Sequence, residues 1–146
     1  MNALDRPMFD RNPRSGFRQF LWYWLPVLLY ISLIFTMSSL THPPDPLKFQ
    51  NSDKLYHLGE YGLFSLLVGR AMRFSLSPYS MLGAAVMTVA LVMMIAAADE
   101  NYQRFVPGRD CDVFDWMTDS TAAVLATAAL WQLWSRGLKR KLQKAS

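Results

Sequence analysis

Two short strings in this chain place ionisable side chains at helical spacing just where long apolar stretches begin. Asp53, His57, Glu60 and Tyr61 make up the first; Asp112, Asp115 and Asp119 make up the second. Residues four and seven apart stack on one face of a helix, so Asp53, His57 and Glu60 or Tyr61 share a face, as do the three Asp. Glu60 and Asp119 each lie seven positions past the first acid of their string, about 10 Å deeper along a regular helix. A third group, Asp99 and Glu100 with Gln103 one turn past Asp99, closes another apolar run. The spacing predicts acids from two helices and one helix end gathered at matched depth, with Glu60 and Asp119 the deepest.

Carboxylates beside an imidazole can hold a divalent metal, and a metal-bound water is then a nucleophile near neutral pH. On this reading a divalent metal is the candidate cofactor, with His57, Glu60, Asp99, Asp115 and Asp119 as candidate ligands. Two crowded carboxylates can instead share one proton and serve as a general acid. A structural use is also open, in which Lys54, Arg104 and Arg109 pair with the acids and lock a loop onto the helices. The acids outnumber these cations, which favours a binding site. No His-Glu-x-x-His pair, Gly-x-Ser-x-Gly elbow or phosphate-cradling Gly loop is present, so no catalytic residue is assigned. Ser38, Ser39 and Thr41 read as capping or backbone-bonding groups at a helix end, and the nine Met as packing residues.

The elements that must position these groups are apolar. Of the 146 residues 52% are hydrophobic, above the usual soluble share. Phe20–Leu40 and Tyr79–Ala98 contain no charge, and each is about the 20 residues that cross a bilayer core. Val113–Trp134 is interrupted only by Asp115 and Asp119, and Leu55–Phe74 carries His57, Glu60 and Arg70. Lys and Arg collect on the cytoplasmic side of membrane proteins. With four spans, eleven basic residues fall on the side of both termini and four on the other; omitting the second span leaves six and nine. The expectation is therefore an all-α, four-helix transmembrane bundle in the cytoplasmic membrane, multi-pass, with both termini inside. Residues 1–19 form a cytoplasmic arm, irregular or interfacial, 20–134 the membrane domain and 135–146 a basic tail.

This sidedness accounts for the net charge of +4 and the pI of 9.4, so nucleic acid is not an expected partner, and membrane lipid is. Trp22, Tyr23 and Trp24, and again Trp131 and Trp134, supply interfacial aromatic belts. Pro26 is expected to kink the first span, and Pro43, Pro44 and Pro46 make the first outer connection extended. His42, in that connection, reads as a surface residue. Pro107-Gly108 marks a turn in the second outer loop. Ser65 and Gly69 on one helix and Ala122, Ala126 and Ala129 on another allow close backbone approach, which predicts contact between the second and fourth helices. Cys111 is the only cysteine; it permits no intrachain disulfide, and Asp110 and Asp112 beside it disfavour a thiolate. The first apolar run is too long for a signal-peptide core and is expected to stay as a span.

Three strings together carry a resemblance: Asp53-Lys54-x-x-His57 with Tyr61 a turn on; Asp99-Glu100-x-x-Gln103-x-Phe105-Val106-Pro107-Gly108-Arg109; and Asp115-x-x-x-Asp119. In this order, and with apolar runs between them, they resemble the VanZ-like family of small integral membrane proteins. The resemblance covers about two thirds of the chain, and its middle string is the distinctive one. It departs from the family pattern at Asp119, where Asn is frequent, and near Ala122, where a Gly is. The resemblance implies a bacterial or archaeal cell-envelope protein of a family named for low-level glycopeptide resistance, and it implies no reaction. The candidate binding cluster is then Asp53, His57, Glu60, Tyr61, Asp99, Glu100, Gln103, Arg109, Asp115 and Asp119. Its expected ligand is a lipid-linked envelope precursor or a cationic group. The rival expectation is a metal- or acid/base-dependent hydrolase or transferase acting on a lipid-phosphate or lipid-linked substrate.

Overall fold

The computed structural model describes residues 13–41, 52–76, 81–109 and 111–143, and within the helices the side chains of 13–15, 138, 139, 141 and 142 are not described. The first twelve residues of the arm, the proline-rich connection with His42, Asp110 and the end of the tail lie outside the described residues. Four helices follow in order: α1 (Pro13–Ser38), α2 (Ser52–Leu76), α3 (Met81–Gln103) and α4 (Val113–Gln143). Among the described residues there is no strand.

Both ends of the chain are more helical than the sequence suggests. α1 already starts at Pro13, inside the arm expected to be irregular or interfacial; proline suits a first helical turn because that turn has no use for its missing N–H. α4 runs on to Gln143, so the expected tail after Trp134 continues the last helix. Pro26 lies inside α1, which remains one helix on both sides of it. α1 and α3 each offer 23 residues, Gly16–Ser38 and Met81–Gln103, that are long and apolar enough to cross a membrane. α2 and α4 do not meet that standard, because α2 carries Asp53, Lys54, Glu60, Arg70 and Arg73 and α4 carries Asp115, Asp119 and a basic C-terminal half.

The interior is where α2, α3 and α4 meet. α2 packs most extensively on α4, each packs on α3, and α1 lies outside these three, touching α2 and α3. Tyr61, Phe64 and Val68 of α2, Val92 and Ala96 of α3, and Ala122 and Ala123 of α4 form one buried cluster, completed by Val27 and Ile34 of α1. The expected contact between the second and fourth helices is present, though the small-residue stripe is shifted: Ala122 and Ala123 are buried while Ala129 is exposed. Gly69 makes close approach possible, since a Cβ there would lie 2.6 Å from Leu130 Cδ1 and 3.7 Å from Thr88 Cγ2.

α1 runs antiparallel to α2 along an aromatic seam. Tyr23 stacks on Phe74 at 4.1 Å between centroids, and Tyr30 on Phe64 at 5.9 Å. Arg70 lies over the Tyr23 ring at 4.9 Å and donates to the Trp22 carbonyl, so its charge is met by a π face and a backbone acceptor. At the opposite end of α1, Ser39 Oγ and the Tyr102 hydroxyl are hydrogen-bonded at 2.9 Å. The C-terminal end of α1 therefore meets the C-terminal end of α3, beside the start of α2.

The volume at Gly69 yields a graded expectation. Gly69→Ala needs only the tip of Leu130 to rotate and should change thermal stability little, the helix-propensity gain of about 1 kcal/mol offsetting the shift. Gly69→Val adds branches with nowhere to go and should lower stability by about 1–3 kcal/mol. Thermal unfolding of the purified variants separates them; equal stability of both would show that the approach is not tight.

Candidate functional site

The α2 and α4 strings meet at their N-terminal ends. Asp112 starts α4: its carboxylate Oδ1 accepts the Phe114 N–H at 2.8 Å and its backbone carbonyl accepts the Asp115 N–H at 3.0 Å, which makes it the N-cap. Lys54, in the first turn of α2, reaches across to this cap, donating to Asp112 Oδ2 at 3.3 Å and to Asp115 Oδ1 at 2.5 Å. One ammonium thus ties the starts of two helices, which is the locking role the sequence offered to Lys54, Arg104 and Arg109. Arg104 is exposed. Arg109 forms no ion pair among the described residues, and its Nε has no hydrogen-bond partner.

One turn deeper, His57 Nδ1 lies 3.0 Å from Asp119 Oδ1, and Nε2 lies 3.9 Å from Asp115 Oδ2. An ionised carboxylate only accepts, so Nδ1 carries the shared proton when Asp119 is charged. His57 is also parallel to the Tyr61 ring, 6.3 Å between centroids. Tyr61 is fully buried, and its hydroxyl donates to Asp99 Oδ2 at 3.2 Å. The same oxygen accepts from Gln103 Nε2 at 3.3 Å, and Gln103 also approaches Ser38 Oγ at 3.5 Å. Glu100 turns the other way on α3, and its Oε2 accepts the backbone N–H of Asp112 at 3.0 Å. His57, Glu100, Asp115 and Asp119 are thereby joined through Lys54 and Asp112 in one network, and Tyr61, Asp99 and Gln103 in a second, the two meeting at the His57 and Tyr61 rings.

The remaining members of the expected cluster take another place. Asp53 is exposed, with Lys54 Nζ 3.7 Å away. Glu60 is half-buried while Asp119 is wholly buried, so burial does not follow their equal position along the helices. Tyr61 turns inward, and its neighbour Glu60 turns toward a cavity of about 730 Å³. Asp53, His57, Glu60, Asp99, Gln103 and Arg109 contribute its polar lining. α1 supplies Tyr30, Met37 and Ser38 to the wall, and α2 adds Leu55, Tyr56 and Gly59. The part played by α1 was not visible in the sequence, since Ser38 reads locally as a capping residue and its link to Gln103 spans 65 positions.

The Pro107-Gly108 turn brings Arg109 to this cavity. The Arg109 N–H donates to the Val106 carbonyl at 3.1 Å, and Gly108 sits at φ 81°. That is a type II turn with Pro and Gly in the two positions that favour them. Gly108 is also packed, since a Cβ there would lie 3.0 Å from Thr41 Cγ2. The loop consequently rests on the end of α1.

Among the described residues one group has metal-binding geometry: His57, Glu100 and Asp119, each offering an atom within 4.8 Å of the others. Glu100 was not among the ligands expected from the sequence, because its side chain was placed there by tertiary packing.

Among the described residues the fold is all-helical, and two helices have membrane-spanning length and composition, which suits a membrane protein. More particularly, the chain belongs to the VanZ/LLP1 family, whose profile matches residues 17–135. No curated protein and no solved structure matches it.

The cap at Asp112 gives a pH test. The Phe114 N–H, and after it Lys54, hold this carboxyl below its ordinary 3.8. A lowered folded-state value contributes stability that is complete above the ordinary value and lost as pH falls through the folded one. The Tm difference between the parent and Asp112→Asn should therefore be largest above pH 3.8 and close on acidification. A difference that stays constant with pH would show that the charge of Asp112 is idle.

Proposed function

We propose that this chain is a four-span protein of the cytoplasmic membrane with both termini inside, whose cavity at the outer ends of the helices binds a lipid-linked envelope ligand. In this reading residues 1–19 remain on the cytoplasmic side, 20–134 hold the membrane domain and 135–146 extend the last helix as a basic tail. Support for placing α2 and α4 in lipid comes from their outer surfaces. Leu55, Leu58, Leu63 and Leu66 on α2, and Val113, Phe114, Met117, Val124 and Leu125 on α4, are exposed. Apolar surface of that extent calls for a nonaqueous neighbour. The charged residues that disqualify these helices by composition are largely turned inward or placed at their ends.

The observation that carries the ligand assignment is the two-sided character of the cavity. Met37, Leu55, Tyr30 and Tyr56 give it apolar walls, while Glu60, Asp99 and Arg109 present both signs of charge. Such a lining suits an amphiphile with a polar head, and Arg109 is the group suited to a phosphate on it. Binding of this kind in the outer leaflet would alter access to envelope precursors, consistent with the glycopeptide-resistance phenotype for which the family is named.

The reading has two tests. Cys111 is exposed and is the only thiol; a membrane-impermeant maleimide should label it in intact cells, and labelling restricted to inverted vesicles would reverse the topology. For the ligand, lipids co-purifying with the protein should be enriched in polyprenyl-linked species over bulk phospholipid. Glu60→Gln should reduce that enrichment about tenfold, the loss of one charge-assisted hydrogen bond of about 1.5 kcal/mol. Bulk lipid in the membrane's own proportions would rule the ligand out.

One observation favours a second reading. His57 lines the cavity with Asp119 behind it on Nδ1, the orientation in which a carboxylate prepares an imidazole to act as general base. Release of product from a lipid-linked phosphate by the purified protein would make it a hydrolase or transferase; binding without turnover supports the first reading.

A further inference from the structure

Asp119 and Glu100 pose a charge problem that the proton on His57 does not solve. Asp119 is 0% exposed and Glu100 4%. Each has one oxygen satisfied, by His57 Nδ1 and by the Asp112 N–H respectively, and one oxygen, Asp119 Oδ2 and Glu100 Oε1, with no hydrogen-bond partner among the described residues. A buried carboxylate oxygen without a partner is costly, and bound ions are among the usual reasons for one. Lys54, the cation at hand, is committed to Asp112 and Asp115. Neither Asp99 nor Glu100 forms an ion pair with Lys or Arg among the described residues.

We infer that His57, Glu100 and Asp119 bind one divalent first-row transition-metal ion, zinc or manganese, that joins α2, α3 and α4. Each helix contributes one donor, and the three donor atoms already lie within 4.8 Å of one another. In tetrahedral geometry, metal–ligand bonds of about 2.0–2.2 Å put two donors on one ion about 3.3–3.6 Å apart, so closure of the donors by up to about 1.5 Å from their 4.8 Å limit completes the set. The donors bear on the metal: imidazole suits zinc, carboxylates and water suit manganese, and calcium needs more oxygens than this site supplies. Two carboxylates neutralise the ion's charge. The remaining coordination positions go to water or to a ligand entering from the cavity, which His57 also lines.

This inference does not depend on what the cavity binds, and the experiment keeps the two apart. Purified full-length protein, stripped with chelator and reloaded with zinc or manganese, is assayed for bound metal by mass spectrometry and for affinity by titration. One equivalent per chain is expected, with a rise in Tm on loading. Loss of a residue that merely orients a ligand costs about 10–100-fold in affinity, so Glu100→Gln and Asp119→Asn, which remove ligands, should each cost more than about 100-fold. Glu60→Gln should keep the metal while losing the lipid. Should the triad variants fail to fold, cobalt(II) loaded into the parent provides the readout, since visible bands of mixed nitrogen and oxygen coordination must appear. Absence of stoichiometric metal in the reloaded parent, or equal retention in well-folded triad variants, overturns the site.

Discussion

A carboxylate removed from water must find donors or a counter-charge, and in this bundle that requirement decides where the helices go. Asp119 and Asp99 sit on different helices with almost no solvent exposure, and the donors that meet them, His57 and Tyr61, come from α2. Because the two are four positions apart on one helix, a single rotation of α2 satisfies both acids at once. Shifting α2 by one residue would swing this face by about 100° and strand both carboxylates. The packing of Phe64, Val68 and Gly69 further along then follows from a register already set by polar groups.

The molecule is accordingly divided end to end. At one end charged groups meet charged or backbone partners; at the other, Arg70 is accommodated by aromatic faces and a carbonyl, and Trp24 Nε1 donates to Ser75 Oγ at 3.1 Å. Between them the core is built from small, β-branched and aromatic side chains. α1 contributes to both ends and, through Val27 and Ile34, to the core between them: Tyr30 donates to the Glu60 carbonyl, and the residues after its end receive the Pro107-Gly108 loop. The cavity lies between this outer helix and the polar network, with α1 and α2 both contributing to its wall.

How much of this was legible depended on sequence distance. Helix number and the one-sidedness of His57, Tyr61, Asp115 and Asp119 follow from local spacing, and Pro107-Gly108 signals a turn whose type the structure adds. Helix ends were less legible, since Pro13 and the Lys-rich stretch after Trp134 look like arm and tail but are compatible with helix. The choice between Glu60 and Tyr61 could not be made locally, because adjacent residues differ by about 100° and the side they face is set by α1 and α3. For the same reason the role of Glu100 was hidden: its partner is a backbone N–H twelve positions on, supplied by a helix cap whose location the loop determines.

The pairing of His57 with Asp119 spans 62 positions, and this separation matters during synthesis. At about 5–20 residues per second, His57 is made roughly 3–12 s before its partner on α4. Over that interval His57 lacks its native partner, although Tyr61 on the same helix meets Asp99 once α3 is made. A chain halted after α3 would thus leave His57 and Lys54 without the α4 acids they meet in the complete fold, and arrival of α4 is the event that completes the network.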